Sequence, residues 1–314
     1  MKILITGGAG FIGQHLSKKL LESGVDVTVL DTLETSSDPT ADVNFIKGSI
    51  LDESLVSRLV QMNDQVIHLA AAVGVSNIID SPLRGLRTNI IGSEIVIRNC
   101  AENLKPILLT SSSEIYGKNS SDSLSEVSDR VVGVPQKSRW SYSDSKAIEE
   151  AFALAYHKEN GSPVKIVRLF NTVGPGQVGT YGMVIPRFMK SAIKNSEITI
   201  YGDGNQTRCF MHVFDAVEGL LKFLEADSLS GQVINLGNPQ EVSINDLALR
   251  IKAIAGSNSE IKYVNHEEVF GLGFEDMARR VPEISKAKQL LGWEPTKTID
   301  EILYDSYKYE MTKL

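Results

Sequence analysis

The stretch KILITGGAGFIG, residues 2–13, decides the fold of this chain. A short, mostly apolar strand pattern runs directly into Gly7, Gly10 and Gly13, and an amphipathic helical pattern follows. Glycines at this spacing allow a tight turn and a close approach of the backbone to a pyrophosphate, whose charge is favoured at a helix N-terminus. The stretch therefore predicts a strand–loop–helix unit that binds a dinucleotide.

A second cofactor signal lies at the end of the next predicted strand, at Asp31. A carboxylate in this position accepts hydrogen bonds from the hydroxyls of the adenosine ribose and repels a 2′-phosphate. The sequence therefore predicts NAD rather than NADP.

The remaining strand patterns of the first half are continuous apolar runs separated by helical patterns. Such runs are typical of a parallel sheet covered on both faces, so we expect an α/β fold with a doubly wound (Rossmann) parallel sheet. Residues 1–172 are predicted to form the NAD-binding domain. Residues 173–314 are predicted to form mainly a smaller C-terminal substrate-binding lobe, with later segments returning to the first domain. The predicted strands of the first half are KILIT, VDVTVL, VNFIKG, QVIHLA, PILLTSSS and VKIVRLFN.

Composition narrows the class of function. The 314 residues include 32 basic and 39 acidic side chains, giving a net charge of -7, and no basic run exceeds a pair. Binding to nucleic acid or to a membrane surface therefore has little electrostatic support. The two cysteines and five histidines show no metal-ligand spacing, so neither a metal site nor a disulfide framework is expected. The apolar N-terminal stretch is too short for a leader or a membrane span, and a cytoplasmic protein is expected.

A candidate acid/base pair lies in RWSYSDSKAIEE, residues 139–150. Tyr142 and Lys146 are one helical turn apart and project from the same face. A neighbouring ammonium and a positive nicotinamide ring both favour the phenolate, so the pKa of Tyr142 is expected to fall toward the working range. The spacing alone is common by chance, so the other motifs decide its meaning.

Five motifs in order resemble the extended short-chain dehydrogenase/reductase superfamily, and its nucleotide-sugar epimerase/dehydratase branch in particular. The resemblance covers residues 1 to about 295. The motifs are TGGAGFIG, HLAA (68–71), TNIIG (88–92), SSSEIYG (111–117) and the Tyr142/Lys146 pair.

This resemblance implies a role for each of three groups of residues. Tyr142 is implied to be the base that takes a proton from a sugar hydroxyl, Lys146 to bind the nicotinamide ribose, and Ser112 to share the proton. Ser113 and Glu114 are implied to lie beside them. Cofactor contacts are implied for Gly7, Gly10, Phe11, Ile12, Gly13, Asp31, Ser49, Ile50, Leu69, Ala70, Ala71, Asn89, Tyr142 and Lys146.

The third group contacts the nucleotide sugar. The resemblance places Asn171 and Arg280 on the diphosphate and Val184 near the uracil. Arg187 is also implied to contact the substrate, and Arg208 to lie near a substrate carboxylate, where a bidentate guanidinium suits a planar anion.

The reaction itself stays open between several alternatives. Glu114 and the TRCF context at residues 207–210 favour a UDP-glucuronate decarboxylase that forms UDP-xylose. A UDP-sugar 4-epimerase, acting on UDP-glucose, UDP-glucuronate or UDP-N-acetylglucosamine, needs only the Tyr142/Ser112 pair. A 4,6- or 5,6-dehydratase would use Glu114 as a base at C5, and an inactive NAD-sensing regulator would need no such pair. The resemblance also implies a homodimer.

Overall fold

Seven parallel strands form the central sheet of the computed structural model, which describes residues 1–34, 41–74, 81–179, 183–265, 268–269, 277 and 279–313. Their order is β11-β6-β5-β4-β1-β2-β3, so the order reverses beside β1, which pairs with both β2 and β4. In such sheets, ligands bind at the carboxyl ends of the strands near this reversal. The strands are β1 Lys2–Thr6, β2 Asp26–Asp31, β3 Asn44–Lys47, β4 Gln65–His68, β5 Ile107–Ser112, β6 Val164–Leu169 and β11 Val233–Leu236.

The two faces of the sheet are covered by separate apolar clusters. Ile3 and Ile5 belong to one cluster and Leu4 to the other, because successive side chains of a strand point to opposite faces. This double burial explains why the predicted strands are continuous apolar runs rather than alternating ones.

The helices are α1 Phe11–Glu22, α2 Glu53–Met62, α3 Pro82–Leu86, a π-helical turn Arg87–Gly92, α4 Ser93–Glu102, α5 Ser141–Asn160, α6 Val184–Ile193, α7 Val213–Glu225, α8 Ile244–Ala255, α9 Ser285–Leu291 and α10 Ile299–Met311; 3-10 turns span Ser113–Tyr116, Ser138–Trp140 and Asp227–Leu229.

The second half of the chain builds a third apolar cluster around α6, α8 and α10. Ser243, whose side chain accepts a hydrogen bond from the backbone of Asp246, caps α8 as its sequence position predicts. Short strand pairs surround this cluster: β7 Thr172–Val173 with β10 Met211–His212, β8 Ile198–Tyr201 with β13 Ile261–Val264, and β9 Thr207–Cys209 with β12 Glu241–Ser243.

The doubly wound parallel sheet predicted from the sequence is confirmed. The segment QVINLG, which lies beyond residue 172, supplies β11, the edge strand of the main sheet beside β6. In the described part of the chain, no helix is both long enough and apolar enough to cross a membrane. Because β1, β4, β5 and β6 are parallel, their carboxyl ends meet at one edge of the sheet, and the candidate site lies there.

Candidate active site

The glycine loop after β1 packs backbone against backbone. Gly7 has a φ of 74°, and a Cβ there would lie 2.6 Å from the backbone nitrogen of Ala70. A Cβ on Gly13 would lie 2.6 Å from the carbonyl oxygen of Gly7. Gly10 begins α1, and no side chain caps the helix N-terminus. The first N–H groups of α1 are thus available to an anion, and this end fits the pyrophosphate of a dinucleotide.

Asp31 at the end of β2 holds the glycine loop in place. One carboxylate oxygen accepts a hydrogen bond from the backbone of Ala9 (3.1 Å) and the other from the backbone of Leu33 (2.9 Å). A carboxylate oxygen has two lone pairs, so it can accept more than one hydrogen bond. The position and chemistry of Asp31 fit the adenosine end of NAD.

The loop after β4 forms the next wall of the cleft. Leu69, Ala70 and Ala71 are partly buried there. The side chain of Asn89, a residue implied to contact the cofactor, is 1 % exposed and holds this loop. It bonds both backbone groups of Ala72 (2.7 and 3.2 Å) and the Ser145 hydroxyl (3.2 Å). Asn89 thus ties the cofactor loop to helix α5.

Four further residues implied to contact the cofactor lie around this cleft in different settings. Phe11 stacks edge-on against the ring of His15, and Ile12 packs on the first apolar cluster. The Ser49 hydroxyl accepts from the backbone of Leu51 (3.1 Å), while Ile50 is 5 % exposed and lies in the second cluster. Ile50 is thus a core residue that supports the adenosine end.

The carboxyl end of β5 brings the predicted catalytic residues together. The phenol of Tyr142 hydrogen-bonds the side chain of Ser112. The Lys146 ammonium lies beneath them, donating to the Thr110 carbonyl (3.0 Å) and to the Glu149 carboxylate (2.9 Å). Tyr142 and Lys146 lie on the same face of α5, as their spacing predicts. The structure thus assembles a hydroxyl pair with a cation beside it.

The pKa of Tyr142 departs from the sequence-based expectation. Burial raises this pKa above its ordinary value, and the nearby ammonium of Lys146 lowers it by less. The carboxylates of Glu149 and Glu114 add to the rise. The prediction that the pKa falls counted the ammonium and the positive nicotinamide ring, and it omitted burial and the two carboxylates. Within the protein, the phenol is therefore the favoured form.

Glu114 lies between two buried arginines. Its two carboxylate oxygens accept from Arg280 and from Arg139, each over 2.8 Å. Arg280 also donates to the Ser113 hydroxyl (3.1 Å) and contacts the sulfur of Met277 (3.0 Å). Although burial opposes ionisation, the two guanidiniums lower the pKa of Glu114 to about 2. Glu114 is thus a carboxylate at neutral pH, and Arg280, which the resemblance places on the diphosphate, is ion-paired with it.

The other residues implied to contact the substrate lie on elements from the end of β6 onward. Asn171 follows β6 and donates to the Cys209 carbonyl (3.0 Å), while Val184 is partly buried at the start of α6. The Arg187 guanidinium stacks over the Tyr201 ring at 4.1 Å, and burial lowers its pKa. Arg208 on β9 donates to the Thr207 carbonyl (2.8 Å).

Two functional candidates emerge from the structure alone. Arg139 is 7 % exposed, lies over the Trp140 ring and binds Glu114. Glu149 is fully buried against Lys146. The sequence signal for Glu149 was its spacing, three residues after Lys146 on the same helical face. Arg139 precedes α5, and no helical spacing in the sequence relates it to Glu114.

His68, the first residue of the HLAA motif, is 1 % exposed. One ring nitrogen bonds the Thr6 hydroxyl (2.6 Å) and the other the Ser93 hydroxyl (2.9 Å). Burial lowers its pKa to about 3, so the ring is neutral. Among the residues that the structure describes, no three histidine, cysteine or acidic side chains lie close enough together to hold a metal ion.

A dinucleotide site with a tyrosine, a serine and a lysine beside it defines a class of enzyme. Such enzymes transfer hydride between a substrate carbon and the dinucleotide, while the tyrosine phenol exchanges a proton with the substrate hydroxyl. The comparisons with known proteins give the family. The model of the NAD dependent epimerase/dehydratase family matches residues 3–237, and the chain belongs to this family. NAD is accordingly its cofactor.

Three relatives illustrate the likeness. The chain is 36% identical to UDP-N-acetyl-alpha-D-glucosaminuronate decarboxylase of Bacillus cytotoxicus, over 98% of this chain and 97% of that protein. It is 36% identical to UDP-glucuronic acid decarboxylase 1 of Xenopus tropicalis, over 98% of this chain and 72% of that protein. The solved UDP-glucuronic acid 4-epimerase of Bacillus cereus, in complex with UDP-glucuronic acid and NAD, matches with a TM-score of 0.88 and 29% identity, over 100% of both chains.

Proposed function

We propose that the chain is an NAD-dependent UDP-glucuronate decarboxylase that forms UDP-xylose. The observation that carries this proposal is Glu114 held between Arg139 and Arg280, beside the Ser112–Tyr142 pair. Two guanidiniums against one carboxylate leave a net positive charge at the strand end where the sugar reacts. A uronate carries the matching negative charge, and both sequence relatives above are named as decarboxylases of UDP-linked uronates.

Each half of the chain has a separate task in this proposal. Residues 1–172 hold NAD through the glycine loop, Asp31, the Leu69–Ala71 segment and Lys146. Residues 173–314 hold mainly the nucleotide, through Val184, Arg187 and Arg208, and Asn171 lies at the junction. Arg187 stacked on Tyr201 offers a flat cationic surface next to the nucleotide.

The first step is oxidation at C4 of the sugar. Tyr142 acts as the phenolate, which Lys146 and the positive nicotinamide ring of bound NAD would stabilise, and it takes the proton of the C4 hydroxyl while Ser112 hydrogen-bonds the same oxygen. NAD supplies the acceptor for the hydride that leaves C4 and later returns it. The product is a 4-keto sugar whose carboxylate is β to the ketone.

The second step breaks the C5–C6 bond. The bonding electron pair moves onto C5 and into the ketone as an enolate, and C6 leaves as CO2. Ser112 and Tyr142 donate hydrogen bonds to the enolate oxygen at O4. Arg139 and Arg280 orient the departing carboxylate before it leaves the sugar. Because Glu114 is ionised, its task is to fix the two guanidiniums rather than to donate a proton.

The last step restores the starting form of the site. C5 takes one proton from solvent, hydride returns to C4, and Tyr142 gives its proton back to O4. Overall, one uronate and one proton become one pentose and one CO2, with no net oxidation. The site must therefore release a proton as readily as it takes one.

A UDP-glucuronate 4-epimerase is the second candidate. Ser112, Tyr142 and Lys146 suffice for it, and the Bacillus cereus structure above is such an enzyme. An epimerase must rotate an intact 4-keto acid and keep its carboxylate. The two proposals therefore differ in whether the carboxylate survives the keto stage.

Incubation with UDP-glucuronate, followed by chromatography and mass spectrometry, tests the proposal. We expect a product lighter by the mass of CO2. A product of unchanged mass with a new retention time would instead establish the epimerase, and loss of water a dehydratase. The Tyr142→Phe variant serves as the inactive control, and UDP-glucose tests whether the carboxylate is required.

The substituent at C2 of the sugar is tested in parallel. One relative is named for a UDP-linked N-acetylated uronate and the other for UDP-glucuronate, so both uronates are compared at equal concentration. We expect the higher kcat/KM with UDP-glucuronate. The reverse preference would keep decarboxylation and correct the sugar.

We also propose a cytoplasmic homodimer. Both cysteines, Cys100 and Cys209, are free and buried. Exposed apolar side chains on neighbouring helices support a self-contact: Leu83 on α3, Ile91 on the π-turn and Ile148 on α5. Sedimentation analysis should give a dimer that Ile91→Glu with Ile148→Glu converts to a monomer. A monomeric wild-type protein would remove this proposal.

A further inference from the structure

Glu149 is a fully buried carboxylate that touches the candidate catalytic lysine. Tyr142, Lys146 and Glu149 are spaced by four and three residues along α5, so they share one helical face. Their side chains point toward β5 and α4, and Lys146 and Glu149 are 3 % and 0 % exposed. The Nζ–Oε2 distance is 2.9 Å. This carboxylate has no part in binding either ligand as described so far.

Burial makes an ionised carboxylate expensive unless it is paired. Within the described part of the chain, the groups that face Glu149 come from three elements besides its own helix. The α4 helix contributes the Ser93 hydroxyl, β4 the neutral His68 behind Ser93, and β5 the Thr110 carbonyl that shares Lys146. On α5 itself, Glu150 is paired with Arg168 over 2.8 Å. Lys146 is thus the cation that balances Glu149.

The contact fixes the ammonium of Lys146. An ammonium has three N–H donors. Two of them bind the Thr110 carbonyl and Glu149, so one is left to act toward the nicotinamide ribose and the phenolate. A lysine held at two points cannot swing away from this position without breaking a buried ion pair.

The same contact sets the charge that Tyr142 experiences. When Glu149 is ionised, it cancels part of the positive charge that Lys146 presents to the phenolate of Tyr142. Burial lowers the pKa of Lys146, but the Glu149 carboxylate raises it past its ordinary value. Burial also raises the pKa of Glu149 to about 7, against the lowering effect of Lys146. The Glu149 carboxylate raises the pKa of Tyr142 as well.

We propose that Glu149 is a positioning residue. Its buried carboxylate is the counter-ion that holds Lys146 in place and allows Tyr142 to return its proton to the substrate. The proposal rests on the proposed function, because that reaction both removes a proton at Tyr142 and gives it back. With the positive nicotinamide ring also present, a lysine without a counter-ion would stabilise the phenolate further and slow the final proton return. A general acid/base works best when neither form dominates at the working pH.

Titration of Tyr142 in the NAD-loaded protein tests the proposal without any sugar. The near-ultraviolet absorbance of tyrosinate is followed against pH, and the Tyr142→Phe protein supplies the baseline. In Glu149→Gln, loss of the negative charge should move the Tyr142 titration to lower pH by about one unit. An unchanged titration, or a shift to higher pH, would overturn the proposal.

The chain offers a matched control in the neighbouring residue. Glu150→Gln makes the same chemical change one position later, at a buried carboxylate whose partner is Arg168. We expect it to move the titration by much less than Glu149→Gln. Equal shifts in the two variants would mean that the charge of the helix matters and the Lys146 contact does not, which contradicts the proposal.

A second variant covers the case in which Glu149→Gln does not fold. Glu149→Asp keeps the charge on a side chain shorter by one methylene, so the carboxylate draws back from Lys146. A smaller shift in the same direction is expected, together with a lower kcat. A titration identical to that of the wild type would count against the proposal.

Turnover adds a readout that separates this proposal from the one on which it rests. With an active uronate, Glu149→Gln should leave a larger fraction of the cofactor as NADH at steady state, because proton return is slower. If the wild type decarboxylates no sugar yet the titration shifts, the proposed function fails and the role of Glu149 stands. If the wild type decarboxylates and the titration does not move, only the role of Glu149 fails.

Discussion

The carboxylate of Glu114 accepts a hydrogen bond from the buried guanidinium of Arg280 over 2.8 Å, although 166 positions separate the two residues. Glu114 follows the sheet strand β5, and Arg280 precedes helix α9 in the second half of the chain. The contact thus joins the last part of the chain to the catalytic strand end. It is a contact between residues far apart in the sequence, and it shows how the two halves of the chain meet at the candidate site.

The Glu114 pair predicts a dependence of stability on pH. Its pKa is lowered from 4.5 to about 2, so the stabilisation is fully present above pH 4.5 and is lost as pH falls toward 2. Glu114→Gln should therefore reduce the free energy of unfolding by about 3 kcal/mol at pH 7. Urea denaturation at pH 7 and pH 3 should show the difference between the proteins shrinking by about half or more at the lower pH. An equal difference at both values would contradict the paired state.

Arg280 and its neighbour Arg279 form a matched pair of test positions. The Arg280 side chain is 4 % exposed and pairs with Glu114. The Arg279 side chain is 42% exposed and pairs with Glu241. Arg280→Gln should lower the rate of CO2 release about 100-fold, because it removes a fixed positive group from the reacting carboxylate. Arg279→Gln should stay within about threefold of the wild type.

The measurement for this pair is release of CO2 from UDP-glucuronate beside NADH formation in a single turnover. In Arg280→Gln, we expect NADH to form while CO2 release falls. If both variants lose activity equally, Arg280 has no special part in the reaction.

Tyr142 carries the proton in every enzymatic alternative considered above. Tyr142→Phe removes the phenol and keeps the ring, so the fold should persist while kcat falls by about 10²- to 10⁴-fold. Product formation by mass spectrometry and bound NAD by absorbance are measured on the same sample. Full NAD content with no product is the expected result. Activity within tenfold of the wild type would exclude Tyr142 as the acid/base.

The sequence predicts those features of the molecule that depend on neighbouring residues. The turn at Gly7–Gly13 and the shared face of Tyr142 and Lys146 follow from local spacing, and the structure has both. Continuous apolar strands indicated double burial, and the seven-stranded parallel sheet is the outcome. In each case the pattern and the physical constraint lie within one or two elements.

Other features depend on burial and on distant contacts. The ion pair of Arg280 with Glu114 could not be predicted, because no spacing rule relates two loops so far apart in the sequence. The pKa of Tyr142 moves up rather than down, since the sequence shows the nearby cation and hides the desolvation. Glu149 was visible from its spacing, yet its importance comes from being fully buried.

The glycine loop allows a direct test of the packing argument. A Cβ on Gly13 would lie 2.6 Å from backbone atoms of Gly7 and Gly8, so Gly13→Ala should cost about 3 kcal/mol of stability or more and weaken NAD binding. Gly85 is the control: it lies in α3, and the nearest atom to its added Cβ is 4.0 Å away. Gly85→Ala should be neutral or stabilising by up to about 1 kcal/mol. Equal losses of stability in Gly13→Ala and Gly85→Ala, measured by thermal and urea denaturation, would show that the glycine loop can shift to accommodate a methyl group.

The choice of NAD over NADP is predicted to depend on Asp31. Its carboxylate oxygens accept hydrogen bonds from the backbone N–H groups of Ala9 and Leu33 at the end of β2, where a carboxylate also binds ribose hydroxyls. Asp31→Ala should raise the Kd for NAD about tenfold or more, since a charged acceptor is lost. The Kd for NADP should rise less or fall, because the repulsion of a 2′-phosphate disappears with the charge. Calorimetric titration of both cofactors against wild type and variant measures the ratio. A ratio that stays constant would mean that the discrimination comes from elsewhere in the cleft.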